Sequence, residues 1–509
     1  MSDSPAPQQM GGFLGWIERA GNRVPHPVMI FVYLMLIVIV LSAILGLMGA
    51  EVRYQAYNPA TGDIEEASTQ ARSLLTVEGI RFMFTGVVPN FMGFNAVGVI
   101  IVAMVGVGVA EEAGLVKALI RKLVIVAPRP LLTYILTFVG IVSSIAADAG
   151  YLVLIPLAAA AFLSLGRHPL AGLAVGFASV ASAFLVNVLI TPVDGILTEI
   201  TNDAIRLVDP ARSIDLAANV WFSIASVAVL TVLIALITEK VIEPRLGPYT
   251  GGYEVPGDNV LSDAEQKGLS AAKWGFLGAL AFILLLTLPP GAPLRHPETG
   301  AIIGNSPFMG SLIVSISLIF LVCGIAYGRA AGTLKTASEA IGSMQKSIGG
   351  LAGLILLLLV ISQFIAIFNY SNMATLAAVS LARVLEAMQL PALALLIGFV
   401  VVVFGLDMII TAAIAKWAIF APVFVPLLMQ LGVEPEAVLA AYRVGDSPMN
   451  AITPLNAYFA MIVTFAIKYQ KESGVGTVIA LMLPYVIWIS VVWTALLAAW
   501  YLLGLPWGI

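Results

Sequence analysis

The chain has 509 residues, of which 60% are hydrophobic and only 11% charged, with a formal net charge of −4. A soluble domain carries about a quarter charged residues, so lipid rather than water is the main solvent. The charge is spread along the chain without a basic block, so nothing points to nucleic acid; the single cysteine, Cys323, has no internal disulfide partner.

In chain order, the first apolar run extends from Pro27 to Met48. It exceeds the roughly 7–15 residues of a secretory h-region and is read as a retained first transmembrane helix. Residues 31–47 and 312–325 contain no charged side chain. With their flanks, such runs reach the roughly 20 residues that cross a ~30 Å hydrocarbon layer. They are continuous, unlike the alternating strands of outer-membrane barrels.

Basic residues near helix ends set the expected orientation. Arg19 and Arg23 place the N-terminus inside, and residues 51–78, with Asp63, Glu65, Glu66 and Glu78, fall outside. Lys117, Arg121, Lys122 and Arg129 are inside, as are Lys240, Arg245, Lys267 and Lys273. Residues 289–307 are outside, and Arg329, Lys335 and Lys346 return inside. His26, His168 and His296 are far apart and beside prolines, which argues against a histidine-rich metal site.

Two parts of the chain look alike, 79–215 and 338–509. They are preceded by an N-terminal helix and external loop (1–78) and separated by scaffold or dimerisation helices (216–337). Each contains a long apolar segment interrupted by small and polar residues. The first interruption reads Ser143-Ser144-Ile145-Ala146-Ala147-Asp148-Ala149-Gly150-Tyr151 and ends at Pro156; the second reads Thr411-Ala412-Ala413-Ile414-Ala415-Lys416-Trp417 and ends at Pro422. Aligning the prolines sets Tyr151 against Trp417. Each copy then has a second break, Asn187-Val188-Leu189-Ile190-Thr191-Pro192-Val193-Asp194 and Asn450-Ala451-Ile452-Thr453-Pro454-Leu455-Asn456. The charge pattern starts one copy outside and the other inside, so the copies are expected to be inverted. Paired broken segments in inverted repeats point to a midplane binding site, although proline and glycine also simply kink membrane helices. The expected fold is an all-α polytopic membrane protein, an inverted-repeat secondary transporter. Re-entrant hairpins are expected at 143–156 and 411–422.

Charges in apolar stretches cost about 2.5–3.5 kcal/mol each on insertion scales, so each needs a reason. Asp194 can coordinate Na⁺ or carry a proton beside unwound backbone; the plainer reading is an aqueous mouth position. Asp148 can bind a cation or cap a hairpin arm. Arg443 and Asp446, three apart, can pair on one helix face; alternatively Arg443 holds a substrate carboxylate through its planar fork and Asp446 serves the coupling ion. Lys416 is expected to snorkel, Asp407 to sit at a helix end, and Trp417 either to pack or to stack on an aromatic substrate. Asn187, Asn450, Thr191 and Thr453 add neutral oxygens, and Na⁺ is conceivable at Asn187, Asp194, Asn450 and Asn456. The residue types do not choose between Na⁺ and H⁺.

The run Tyr442-Arg443-Val444-Gly445-Asp446-Ser447, continuing to Asn450 and Thr453-Pro454, resembles the hallmark of the AbgT family, the p-aminobenzoyl-glutamate transporters. So do residues 106–114, Ala415-Lys416-Trp417-Ala418 and Thr191-Pro192-Val193-Asp194-Gly195. The resemblance covers nearly the whole chain. It implies a homodimer in the bacterial inner membrane, with about nine transmembrane helices and two re-entrant hairpins per protomer. It also implies transport, not catalysis, of an aminobenzoyl-glutamate or sulfonamide-like aromatic acid, with cation coupling and no cofactor. Asp194, Trp417, Arg443, Asp446 and Pro454 are its implied site residues. The chain departs from the family at Ile414, where relatives can carry a hydroxyl.

A Na⁺–dicarboxylate carrier would share the hairpins and Thr-Pro breaks but needs no aromatic platform at Trp417. An intramembrane aspartyl protease needs Gly-x-Gly-Asp, and Arg443 occupies the first glycine position. Ion dependence of flux separates both transport readings from a passive channel.

Overall fold

The computed structural model describes residues 25–57, 64–146, 150–251, 261–303, 306–387 and 390–509. Arg19, Arg23 and Asp148 therefore lie outside the described residues. Helix α1 (Pro27–Leu47) starts with proline at its first position and a His26 cap. It leads into an antiparallel hairpin, β1 (Glu51–Tyr57) with β2 (Ile64–Gln70), in register from Glu51 opposite Gln70. This hairpin is a short addition to an otherwise helical chain.

Next come α2 (Val77–Thr85), α3 (Val87–Met92), α4 (Asn95–Glu112), α5 (Leu115–Ile125), α6 (Leu132–Val142), α7 (Ile155–Ser164), α8 (Pro169–Ala181), α9 (Pro192–Ile205), α10 (Val220–Leu246), α11 (Asp263–Thr287) and α12 (Leu312–Ala331). The second half holds α13 (Ala337–Gly350), α14 (Ala352–Tyr370), α15 (Met373–Ala387), α16 (Ala392–Asp407), α17 (Ala413–Gln430), α18 (Pro435–Asp446), α19 (Phe459–Tyr469) and α20 (Val475–Leu502). Among the described residues, eight helices are long and apolar enough to cross a membrane, and up to nine if the pair Leu115–Ile125 and Arg129–Ile145, bent by 118°, is one span.

The scaffold helices meet through small residues. A Cβ added at Gly106 of α4 would lie 1.8 Å from the Ser317 carbonyl of α12, so the two backbones touch. The Ser317 hydroxyl donates to Val102 O at 2.7 Å and accepts from Gly106 N at 3.1 Å. In a membrane, such close approach and polar bridging replace the hydrophobic drive that water supplies elsewhere.

Both expected hairpins are present. Residues 140 and 154 would be roughly 21 Å apart in one continuous helix, at 1.5 Å per residue. Instead, a Cβ on Gly140 would lie 3.0 Å from Leu154, and one on Gly150 would lie 2.2 Å from the Ser143 hydroxyl. The chain reverses between these pairs. In the second copy Phe399 and Phe424, with ring centroids 4.7 Å apart, would be roughly 37 Å apart in a continuous helix. Asp407 contacts Lys416 across the same reversal. Both pairs are centred on one point of the chain, between Thr411 and Ala412. Helix α17 is thus long enough to span, yet it is the returning arm of a hairpin with α16.

The second break is a capped helix end in the first copy and, in the second, a turn ahead of a helix that starts at Phe459 without a side-chain cap. In the first copy Thr191 accepts from Asp194 N at 3.3 Å, and Asp194 Oδ2 accepts from Thr191 N at 2.7 Å, a reciprocal box ahead of Pro192. In the second, Thr453 Oγ1 accepts from Leu455 N at 3.3 Å, and Asn456 Oδ1 accepts from Tyr458 N at 3.0 Å. The proline in each supplies no N–H, so the freed backbone groups need these side chains.

Candidate functional site

The two breaks face each other at the centre of the protomer. Leu185 N, in the first, donates to the Ser447 hydroxyl at the second, 3.2 Å away and 262 positions distant in sequence. Hairpin aromatics cross between copies in the same way. Tyr151 stacks on Tyr458, with centroids 4.2 Å apart and planes 13° apart. Trp417 donates its indole N–H toward Thr201 Oγ1 (3.0 Å) and Leu197 O (3.2 Å) of α9. The two aromatics that align between the copies each reach the opposite copy, as a pseudo-two-fold arrangement requires.

Arg443 sits where the copies meet. Its Nη1 lies 2.5 Å from Asp194 Oδ1 and 2.9 Å from Leu185 O, and its Nε donates to Asn219 Oδ1 at 3.2 Å. The Arg443 side chain is 4% exposed and that of Asp194 15%. Asp194 is fully occupied, since Oδ1 meets Arg443 and Oδ2 takes Thr191 N and Oγ1 (2.8 Å). Beside it is a void of about 10 Å³, lined by Ser144, Asn187, Thr191 and Asp194 among others. Asn187 braces hairpin and break together, donating to Val142 O (2.9 Å) and Ser144 Oγ (3.0 Å).

A second charged group is sealed inside the second copy. Lys416 Nζ contacts Asp407 Oδ1 and lies 2.7 Å from Asp446 Oδ1, with all three side chains 0% exposed. The Tyr442 hydroxyl lies 2.8 Å from Asp446 Oδ1 and 2.5 Å from Ala413 O. Its ring packs on Trp417, centroids 4.5 Å apart.

Two expectations are corrected here. Lys416 does not snorkel: it is wholly buried because Asp407 and Asp446 supply counter-charges at depth. Arg443 and Asp446 do not pair with each other: the nearer opposite charges are Asp194 for Arg443 and Lys416 for Asp446. Trp417 is completely buried in this conformation, with its N–H committed to α9.

Asn450 donates to Asp446 O (3.1 Å), Asn456 to Asn450 O (2.9 Å) and Thr453 to Met408 O (3.1 Å), tying the second break to the second hairpin tip. Pro454 is half-buried at that break. Sequence reasoning missed Asn219, Thr201 and Tyr458, and gave Tyr442 no role beyond its place in a motif. It also took Asp407 and Lys416 separately, although two opposite charges flanking one uncharged hairpin tip are a readable signal.

Facing broken helices, crossed hairpins and a buried arginine between two inverted copies define a multi-pass secondary transporter. The model of the AbgT putative transporter family matches residues 12–509, and the chain belongs to that family. It is 35% identical over 508 residues to the p-aminobenzoyl-glutamate transport protein of Escherichia coli K12, covering 100% of this chain and 98% of that one. The Alcanivorax borkumensis YdaH transporter superposes with a TM-score of 0.88 at 41% identity, covering 95% of this chain and 100% of that structure. Neisseria gonorrhoeae MtrF, described among antimetabolite efflux pumps, gives 0.92 at 38%, covering 97% and 99%. The chain is a transporter and not an enzyme.

Proposed function

We propose that the chain is a cation-coupled carrier of p-aminobenzoyl-glutamate and related aromatic acids, sulfonamide antimetabolites among them. The observation that carries the reading is Arg443, held between the two copies by one carboxylate, Asp194. A substrate carboxylate presents the same planar pair of oxygens and can take Asp194's place on the guanidinium. Asp194 is then left without its cation. A small cation taken beside Asn187, Thr191 and Ser144 restores the balance, so anion and cation occupancy rise together. Trp417, with Tyr442 against it, supplies a flat apolar surface when hairpin and α9 separate. Naming of the substrate rests on the relatives, and its shape and charge on these residues. The basic-residue pattern supports a cytoplasmic N-terminus, and the family resemblance a homodimer in the bacterial inner membrane.

The test is direct binding to purified protein, followed by flux in sealed vesicles with Na⁺ and H⁺ gradients imposed separately. Binding of p-aminobenzoyl-glutamate, with flux that follows one gradient, is the expected result. If that compound and sulfonamides both fail to bind while succinate or citrate binds and drives ion-coupled flux, the dicarboxylate reading replaces this one.

A further inference from the structure

The sealed group at the second hairpin has one negative charge too many. Two carboxylates, Asp407 and Asp446, face one ammonium, Lys416, and all three are completely buried. The elements packed around them offer no second cation among the described residues. Helix α18 brings Tyr442, Asp446 and Arg443, but Arg443 is spent on Asp194. Helix α17 brings Lys416 alone. Helix α9, packed on α17, carries the acidic Asp194, Glu199 and Asp203, and α15 carries Arg383, which is exposed and donates to Arg53 O. Asp407 is moreover the last residue of α16, where the helix dipole opposes negative charge.

The hydrogen count points the same way. The Tyr442 oxygen touches two acceptors, the Ala413 carbonyl and Asp446 Oδ1, yet a phenol has one hydrogen to give. Asp407 Oδ2 and Asp446 Oδ2 are buried without a hydrogen-bond partner. A bare carboxylate oxygen in a low-dielectric interior is costly, and such groups take up a proton instead. One added proton brings the cluster to zero net charge and, placed on Asp446 Oδ1, also supplies the hydrogen missing at Tyr442.

We infer that Asp407, Lys416, Asp446 and Tyr442 form a proton-binding site, in which one of the two carboxyls holds a proton while the second hairpin is closed. On opening, a carboxyl releases that proton to water and becomes a hydrated carboxylate; on closing it takes one back. The site is wired to the transport elements at both ends. Lys416 is adjacent to Trp417, which grips α9, and Asp446 is on the same helix as Arg443. Proton occupancy and the contacts between the two copies therefore change together.

Infrared difference spectroscopy on the purified, substrate-free protein tests this. A carbonyl-stretch band of a neutral carboxylic acid is expected at neutral pH in the wild type. It should vanish in Asp407→Asn and, independently, in Asp446→Asn, because each leaves one carboxylate with one ammonium. Asp407→Glu, which keeps the acid, should retain a band. Absence of the band in the wild type, or its persistence in Asp407→Asn, overturns the site. In vesicles at fixed Na⁺, flux of the wild type should follow an imposed pH gradient and that of Asp407→Asn should not; an unchanged response overturns the proton's part in transport. Since the spectra need no substrate, a wrong substrate assignment would leave the band in place, and a missing band would leave substrate binding as measured.

Discussion

The two buried ion groups are built from the same chemistry and serve opposite ends. Arg443–Asp194 joins the two copies, is balanced in charge, and has every carboxylate oxygen partnered. Asp407–Lys416–Asp446 lies within one copy, is unbalanced, and leaves two oxygens bare. A satisfied pair between moving bodies can be exchanged for an equivalent pair, with substrate taking one side. An unsatisfied cluster inside one body can be completed only by something as small as a proton. Location decides which ligand each can accept.

The largest expected effect comes from Lys416→Ala. It leaves a buried carboxylate without its cation, and breaking a buried pair from one side costs about 3–5 kcal/mol. Thermal unfolding in detergent should fall well below wild type, with poor recovery of folded protein. Arg443→Ala should destabilise less, by about 1–3 kcal/mol, because Asp194 keeps its Thr191 bonds and some exposure to water. Its flux should nonetheless be abolished, as should that of Asp446→Ala, while both proteins remain inserted. Arg443→Lys should also transport poorly, since a point charge does not replace two-pronged contact. If Arg443→Ala were the less stable of the two, the contrast between exchangeable and sealed groups would fail.

A smaller effect sharpens the role of the first break. Thr191→Ala removes the reciprocal cap that holds Asp194 and should cost about 1 kcal/mol, read as a lower unfolding midpoint. Flux should drop further than that loss alone explains, because Asp194 Oδ2 keeps only the backbone N–H at position 191 and is held less firmly toward Arg443. The smallest concerns His168, which caps α8 by accepting from Leu170 N at 3.2 Å. Burial pushes its imidazole below the ordinary value of 6.5, with Glu243 opposing. The neutral ring is thus favoured in the folded state. Its contribution is complete above pH 6.5 and fades as pH falls through the lower folded value. Between pH 7 and pH 5 the wild type should lose stability relative to His168→Asn, a cap that does not titrate.

The breaks and hairpins were legible because they are local. Thr-Pro followed by Asp194 dictates a capped helix start, Thr-Pro before Asn456 a turn held by its own side chains, and small residues at Gly140, Ser143 and Gly150 permit arms to touch. Partner choice was not legible. Spacing put Arg443 beside Asp446 on one helix, but which opposite charge stands nearest depends on how the hairpin folds back. Asn219 gave no signal at all: it holds the Arg443 Nε from a segment with no motif of its own. Trp417 could be named from its place in the interruption, while its grip on Thr201, in the other copy, depends on the inverted packing.

The shared centre of the second hairpin makes its tip a counting device. Phe399 meets Phe424 and Asp407 meets Lys416 about the same point. One residue inserted inside α17, between Ala413 and Lys416, would rotate the rest of the returning arm by roughly 100°. Phe424 would leave Phe399, Lys416 would face the wrong side, and Trp417 would point away from α9, all at once. The five residues at that tip carry little chemistry in their side chains and set which residues of the two arms meet, so a single insertion in α17 ahead of Lys416 should be far less tolerated than most substitutions at the tip.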